Sequence, residues 1–356
     1  MIDPGLLRAA LDPPRAHGAP AVRGRMRETP EDFLVEEELG FEPSGAGTHV
    51  LLRVRKRDAN TQWVARELAR LAGCRPMDVG YAGLKDRRAV ARQWFSVPRG
   101  RRAPGEWIGA GGEGFEVLEA HAHDRKLPRG ALAGNRFTLR LRGVEGGRDL
   151  LEARLAAVAR EGVPNYFGPQ RFGRGGANLA HLGRAIDSLD RRQRSFVLSA
   201  ARSLIFNAVL AERVTAGNWN RLLPGDVANL DGRGSIFQVA ELDDTLTARC
   251  ERMELHPTGP LWGRGTTPAS GSVRLLEERV ASELEAASRL VCAVGMRHER
   301  RSLRLPVRDL EHEWRKDDEL TLRFRLGKGS FATTVLRELG DFAQPDAGEA
   351  HEEEDA

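Results

Sequence analysis

At 356 residues, 40% of them hydrophobic and 30% charged, the chain exceeds the range of a single growing core and has an ordinary globular balance, so two domains are expected. No apolar run in it approaches the ~20 residues of a membrane span, and its three distant cysteines (Cys74, Cys250, Cys292) exclude a disulfide framework and a CxxC metal site. The net charge is only +4, but the tail after Gln344 carries six acidic and no basic side chains, and without them the body stands at +10.

The first segment, MIDPGLLRAALDPPRAHG, has no apolar core of signal-peptide length, and a cytoplasmic location is expected. Phe33 and Val35, then Val50, Leu52 and Val54, then Phe95 and Val97, alternate as half-buried strands do. Between them, Asn60 is placed to cap a helix through Trp63, Val64, Leu68 and Leu71 that Gly73 ends. From Asn135 to Arg142, Phe137, Leu139 and Leu141 face one way while Arg136, Thr138 and Arg140 face the other. Asp149 then opens a helix closed by Gly162, and residues 195–214 and 274–294 read as long helices. Alternation returns at Leu320, Leu322, Phe324 and Leu326, followed by GKGSFATTVLREL, a loop running into a helix. A lone strand is not stable by itself. It is therefore expected to join the N-terminal sheet, which makes the helix-rich middle an insertion. The predicted division is residues 1–160 and 310–342 as two segments of one domain, 161–309 as the insertion, and 343–356 as a disordered acidic tail.

Several stretches invite chemical readings. In VGYAGLKDRRAVARQWFSV, Lys85, Asp86, Arg87 and Arg88 fall on a turn before a strand. A carboxylate among cations stays ionised, in surroundings that still attract a phosphate, which suits a reacting carboxylate acting on a nucleic acid. A turn aspartate that satisfies nearby amides has the same appearance. LGKGS lacks the first glycine of a P-loop, since Leu322 stands there, and Gly173–Gly176 is a glycine loop without a specific phosphate signature. The nine histidines show no metal spacing; neither metal nor nucleotide cofactor is expected. Only five of the 55 basic residues are lysine, and clusters such as Arg99–Arg102, Arg191–Arg194 and Arg297–Arg304 are candidate polyanion contacts.

The same stretches match one family in order. RETPEDFLVEE (27–37), YAGLKDRRAVARQW (81–94), LAGNRFTLRLR (132–142), GVPNYFGPQRFGRGG (162–176), RSFVLSAARSLIFN (194–207) and GKGSFATTVLREL (327–339) resemble successive motifs of the TruD family of tRNA pseudouridine synthases. The resemblance runs from about residue 20 to 340, departing beside the reactive positions at Leu84 and Pro169. It implies an α+β fold: a mixed, mostly antiparallel pseudouridine synthase sheet with helices, interrupted by the insertion. It further implies a cofactor-free enzyme that converts uridine 13 of tRNA to pseudouridine. Asp86 matches the family's catalytic aspartate, and Arg27, with Lys85 as second candidate, the basic residue that supports it. Phe33, Asn135, Phe137 and Phe331 match residues lining the uridine pocket. A monomer with tRNA as partner, and no membrane or metal, is the expectation. A non-catalytic RNA-binding protein on the same fold is the alternative, and Asp86 discriminates, since mere binding has no use for an ionised carboxylate at the mouth of an RNA pocket.

Overall fold

The computed structural model describes Arg8, residues 11–182, Ile186 and residues 188–345. The acidic tail expected to be disordered lies outside the described residues, apart from its first positions. The described chain forms two compact units.

One unit comprises residues 20–152 and 307–332 together with the described residues from Gly340 on. Its strands begin with β1 (Val22–Met26), β2 (Phe33–Leu39), β3 (His49–Arg57), a short β4 (Gly80–Tyr81), β5 (Val90–Pro98), a short β6 (Gly111–Gly112), β7 (Phe115–His123) and the long β8 (Leu132–Gly146). Helix α1 (Thr61–Ala72) places Val64 and Leu68 one turn apart, on the face that meets Val50, Leu52, Val54, Phe95 and Val117. It ends as anticipated at Gly73, whose left-handed φ of 64° lets its N–H return to the Ala69 and Arg70 carbonyls.

The chain then enters the other unit, residues 153–306 with the described residues up to Ala19 and Thr333–Leu339. It holds helices α2 (Arg148–Glu161, from Ala153 on), α3 (Arg191–Thr215), α4 (Asp244–Glu251), α5 (Gly271–Glu283) and α6 (Glu285–Ala293). The single helix expected over 274–294 is two, because Leu284 leaves helical geometry at φ −99°, ψ 41°. By length and composition α3 could cross a membrane. Here it is a core helix, with Ala200, Leu204, Ile205 and Val209 packed on Val280, Leu284 and Val291. Short strands that pattern reading did not anticipate complete this unit: β9 (Val163–Pro164), β10 (Val227–Leu230), β11 (Ile236–Gln238), β12 (Leu255–Leu261), β13 (Glu299–Ser302) and β14 (Arg304–Leu305). They pair in the order β11-β10-β12-β13, with β14 on β9. Pro257, Gly259 and Pro260 disguise β12, and β13 is wholly polar.

The chain returns to the first unit as β15 (Arg308–Lys316) and β16 (Glu319–Gly327), gives helix α7 (Ala332–Leu339), whose residues Thr333–Leu339 belong to the other unit, and ends in the first unit with β17 (Gly340–Ala343). β16 lies antiparallel on β8 from Leu320↔Leu141 to Gly327↔Gly134, and β17 runs parallel to β1. The result is an 11-stranded sheet among the described residues, ordered β15-β16-β8-β2-β5-β3-β7-β6 along its main path. Along that path the neighbours are antiparallel except at the centre, where β2 and β5 run parallel over Leu34–Glu36 and Val90–Arg92. The fold is thus α+β with a mixed, mostly antiparallel sheet.

Candidate active site

Parallel strands begin at the same end, so the segments entering β2 and β5 meet at the central seam. Arg27 precedes β2 and Asp86 precedes β5, and the Arg27 Nη2 donates to Asp86 Oδ2 across 59 residues of sequence. Arg27 has a left-handed φ of 58°, uncommon outside glycine. That turn lays its guanidinium over the Phe33 ring, 3.8 Å from the centroid. The guanidinium side chain is 13% exposed and the Asp86 side chain 50%, so the cation is fixed while the carboxylate stays reachable. A second pair, with a buried carboxylate, braces the same entry: Asp32 accepts from Arg142 Nη2 at 2.8 Å and from the Thr29 amide at 3.0 Å. Burial alone would raise the Asp32 carboxyl, but these partners hold it below the usual carboxylate value.

The turn carrying Asp86 is held from beneath by three side chains. Lys56, fully buried, donates from Nζ to the carbonyls of Ala59 (2.7 Å), Lys85 (3.3 Å) and Asp86 (2.7 Å). Gln93 Nε2 donates to Gly83 O at 2.6 Å, and Thr61 Oγ1 accepts from the Lys85 amide at 3.0 Å while donating to Gln93 Oε1. Burial pushes the Lys56 ammonium down to about 8, with the Asp86 charge opposing the shift. Motif reading missed all three. The signal was present in the strand pattern, because Lys56 continues the inward series Val50, Leu52, Val54, and Gln93 stands between inward Ala91 and Phe95.

Lys85 pairs with Glu37 rather than with Asp86. Its Nζ lies 3.4 Å from Oε1 of buried Glu37, whose Oε2 accepts from the Trp94 amide at 3.0 Å. Burial raises the Glu37 carboxyl, and Lys85 and that amide resist the rise. Arg87 approaches Asp58 at 3.6 Å and Arg88 donates to Glu28 O at 3.1 Å. Of the cations considered from sequence, Arg27 is the one paired with Asp86.

Cross-strand register puts the remaining candidates on one face. Val35 stands opposite Phe137, Glu37 opposite Asn135, and Asn135 opposite Leu326. Phe33 and Phe137 meet edge to face at 6.1 Å, and Phe137 stacks on Phe324 at 5.5 Å. Asn135 is buried, and its Oδ1 has no hydrogen-bond partner, a cost that an incoming N–H donor would remove. Phe331 follows four residues after Gly327, whose pairing with Gly134 brings this loop beside Asn135. Its ring is 51% exposed. Arg27, Phe33, Asp86, Asn135 and Phe137 thus form one cluster around the seam, with Phe331 on the loop next to it. Among the described residues, no group of three or more His, Cys, Asp or Glu is arranged to hold a metal ion.

Comparison with known proteins identifies the family. A sequence model of the family described as tRNA pseudouridine synthase D (TruD) matches residues 15–186 and 176–339. The tRNA pseudouridine synthase D of Methylococcus capsulatus is 50% identical, over 93% of this chain and 95% of the relative. Those of Xanthomonas axonopodis and Pseudomonas aeruginosa are each 45% identical, over 94% and 92% of this chain and 95% and 93% of their own lengths. A crystal structure of a putative tRNA pseudouridine synthase D from Methanosarcina mazei shares the fold at a TM-score of 0.71. It is 22% identical, with 96% of this chain and 98% of that one covered.

Proposed function

The chain belongs to the TruD family of tRNA pseudouridine synthases, and from that premise we propose that it isomerises uridine 13 of tRNA to pseudouridine without a cofactor, Asp86 being the reacting carboxylate. The reaction breaks the N1–C1′ bond of uridine, turns the base and makes a C5–C1′ bond, while one proton leaves C5 and one is gained at N1. No electrons are gained or lost overall, so a positioned carboxylate and a closed pocket meet its needs.

The observation that carries this reading is the Arg27–Asp86 pair seated on Phe33, on the sheet face that also presents Asn135. In it Arg27 aims the Asp86 carboxylate, and Lys85 braces the turn through Glu37. Asn135 Oδ1 accepts the uracil N3–H, Phe33 and Phe137 wall the pocket, and exposed Phe331 covers the extruded base. The protein acts as a cytoplasmic monomer with no metal or membrane requirement.

The test is to incubate purified protein with unmodified tRNA transcript in EDTA and map pseudouridine. Modification at position 13 is expected, with none in Asp86→Ala at unchanged melting temperature and tRNA affinity. A need for added metal or nucleotide would sink the cofactor-free reading, and an active Asp86→Ala would remove Asp86 from the chemistry.

A further inference from the structure

Strand β13 sends its two central arginines to opposite sides. Arg300 donates to both oxygens of buried Glu277, at 2.8 and 2.9 Å. Arg301 has no carboxylate within ion-pair range among the described residues. Among the described residues its hydrogen bonds go to Asn165, at 2.6 Å to the side-chain oxygen and 3.4 Å to the carbonyl. Its guanidinium lies over Phe167, 4.3 Å from the ring centroid. The guanidinium of Arg171, exposed on the short helical turn Pro169–Phe172, is 5.3 Å from the same centroid and has no ion pair among the described residues. Two like charges therefore converge on one ring with no acid between them.

This arrangement is built, since the ring is fixed from below. Buried Asn207 of α3 accepts from the Phe167 amide and donates to its carbonyl, both at 2.9 Å, and Phe206 meets the ring edge to face at 5.4 Å. Asn165 in turn donates to Ser302 O at 2.8 Å, locking the group that orients Arg301. Burial and the nearby Arg171 push Arg301 down to about 10, so the protein bears a cost in holding this cation. Buried or crowded cations are normally paired, and a planar guanidinium pair suits the oxygens of a phosphate.

We propose that Arg171 and Arg301 form a phosphate site on the Phe167 platform that holds one backbone phosphodiester of the tRNA. The assignment rests on the functional reading above, with tRNA as substrate. The site binds and orients RNA and takes no part in the bond changes.

Arg171→Ala is the decisive variant, because Arg171 is exposed and its loss should leave the melting temperature unchanged. Affinity for tRNA transcript should fall about threefold to tenfold at low salt, and the slope of log affinity against log salt should lessen by about one. Arg171→Lys should restore most of the affinity. Ethylation interference identifies the ligand: at least one tRNA phosphate must weaken wild-type binding when ethylated and cease to matter in Arg171→Ala. An unchanged interference pattern and salt slope would overturn the site while wild-type pseudouridylation keeps the functional reading standing. Absence of wild-type pseudouridylation and tRNA binding would overturn that reading and this site with it.

Discussion

Fully buried, Lys56 serves three carbonyls with one ammonium, and its proton count decides whether it can do so. The folded protein releases that proton at about 8, against 10.5 for the ordinary group. Between those values the unfolded chain holds the extra proton, so stability rises with pH across the window and is lost as pH falls back through 8. The unfolding free energy of wild type minus that of Lys56→Met should therefore climb by roughly 1.4 kcal/mol per pH unit from 8 to 10. Turnover should move the opposite way, since a neutral amine has two N–H groups for three carbonyls and the Asp86 turn loosens. A wild-type kcat that stays flat to pH 9.5, or that falls identically in Lys56→Met, would contradict this. Phe331 makes a separate case. With half its ring exposed and no charge to offer a phosphate, Phe331→Ala should lower kcat at least about tenfold while tRNA affinity changes less than about threefold. A large loss of affinity with intact turnover would place it outside the base pocket.

At the scale of elements, β8 is the strand on which the pocket depends, flanked by β2 on one side and β16 on the other. Gly134 permits the second contact, because an added Cβ would sit 2.4 Å from the Leu326 carbonyl oxygen. Gly134→Ala should push β16 away beside Asn135, costing about 1–3 kcal/mol in a denaturant titration and lowering activity with it. Wild-type stability in that variant would show that the strands tolerate a wider gap. Much of this was legible beforehand: Phe137, Leu139 and Leu141 announce β8 by alternation, and the Leu320–Leu326 series announces its partner. Asp86, Arg27 and Asn135 stood out through motif resemblance, since no local pattern separates a reacting aspartate from a turn aspartate. What pattern could not reveal depends on tertiary neighbours. Lys56 stands out only once its strand is known to be buried, Arg171 and Arg301 meet across 130 residues, β10 and β11 are too short to show a period, β12 is interrupted by prolines and β13 is wholly polar.

For the whole molecule, a body at +10 with many arginines implies binding dominated by phosphate contacts. Affinity for tRNA should drop about tenfold or more between about 50 and 200 mM salt, and a flat response would mean few such contacts. Removing residues 345–356 should leave affinity equal or higher, because six acidic charges repel the ligand. Sheet closure has a consequence on another clock. Asn135 must wait for Leu326, and Val22 for Gly340, before the strands beside the pocket are complete. At ribosomal speeds of about 5–20 residues per second, the first of those waits lasts roughly 10–40 s. Throughout it the nascent chain already carries Arg27 and Asp86 but lacks β16 beside Asn135. Competence to act on RNA is therefore expected only once β16 has emerged, and a chain stalled within residues 153–306 should form no pseudouridine.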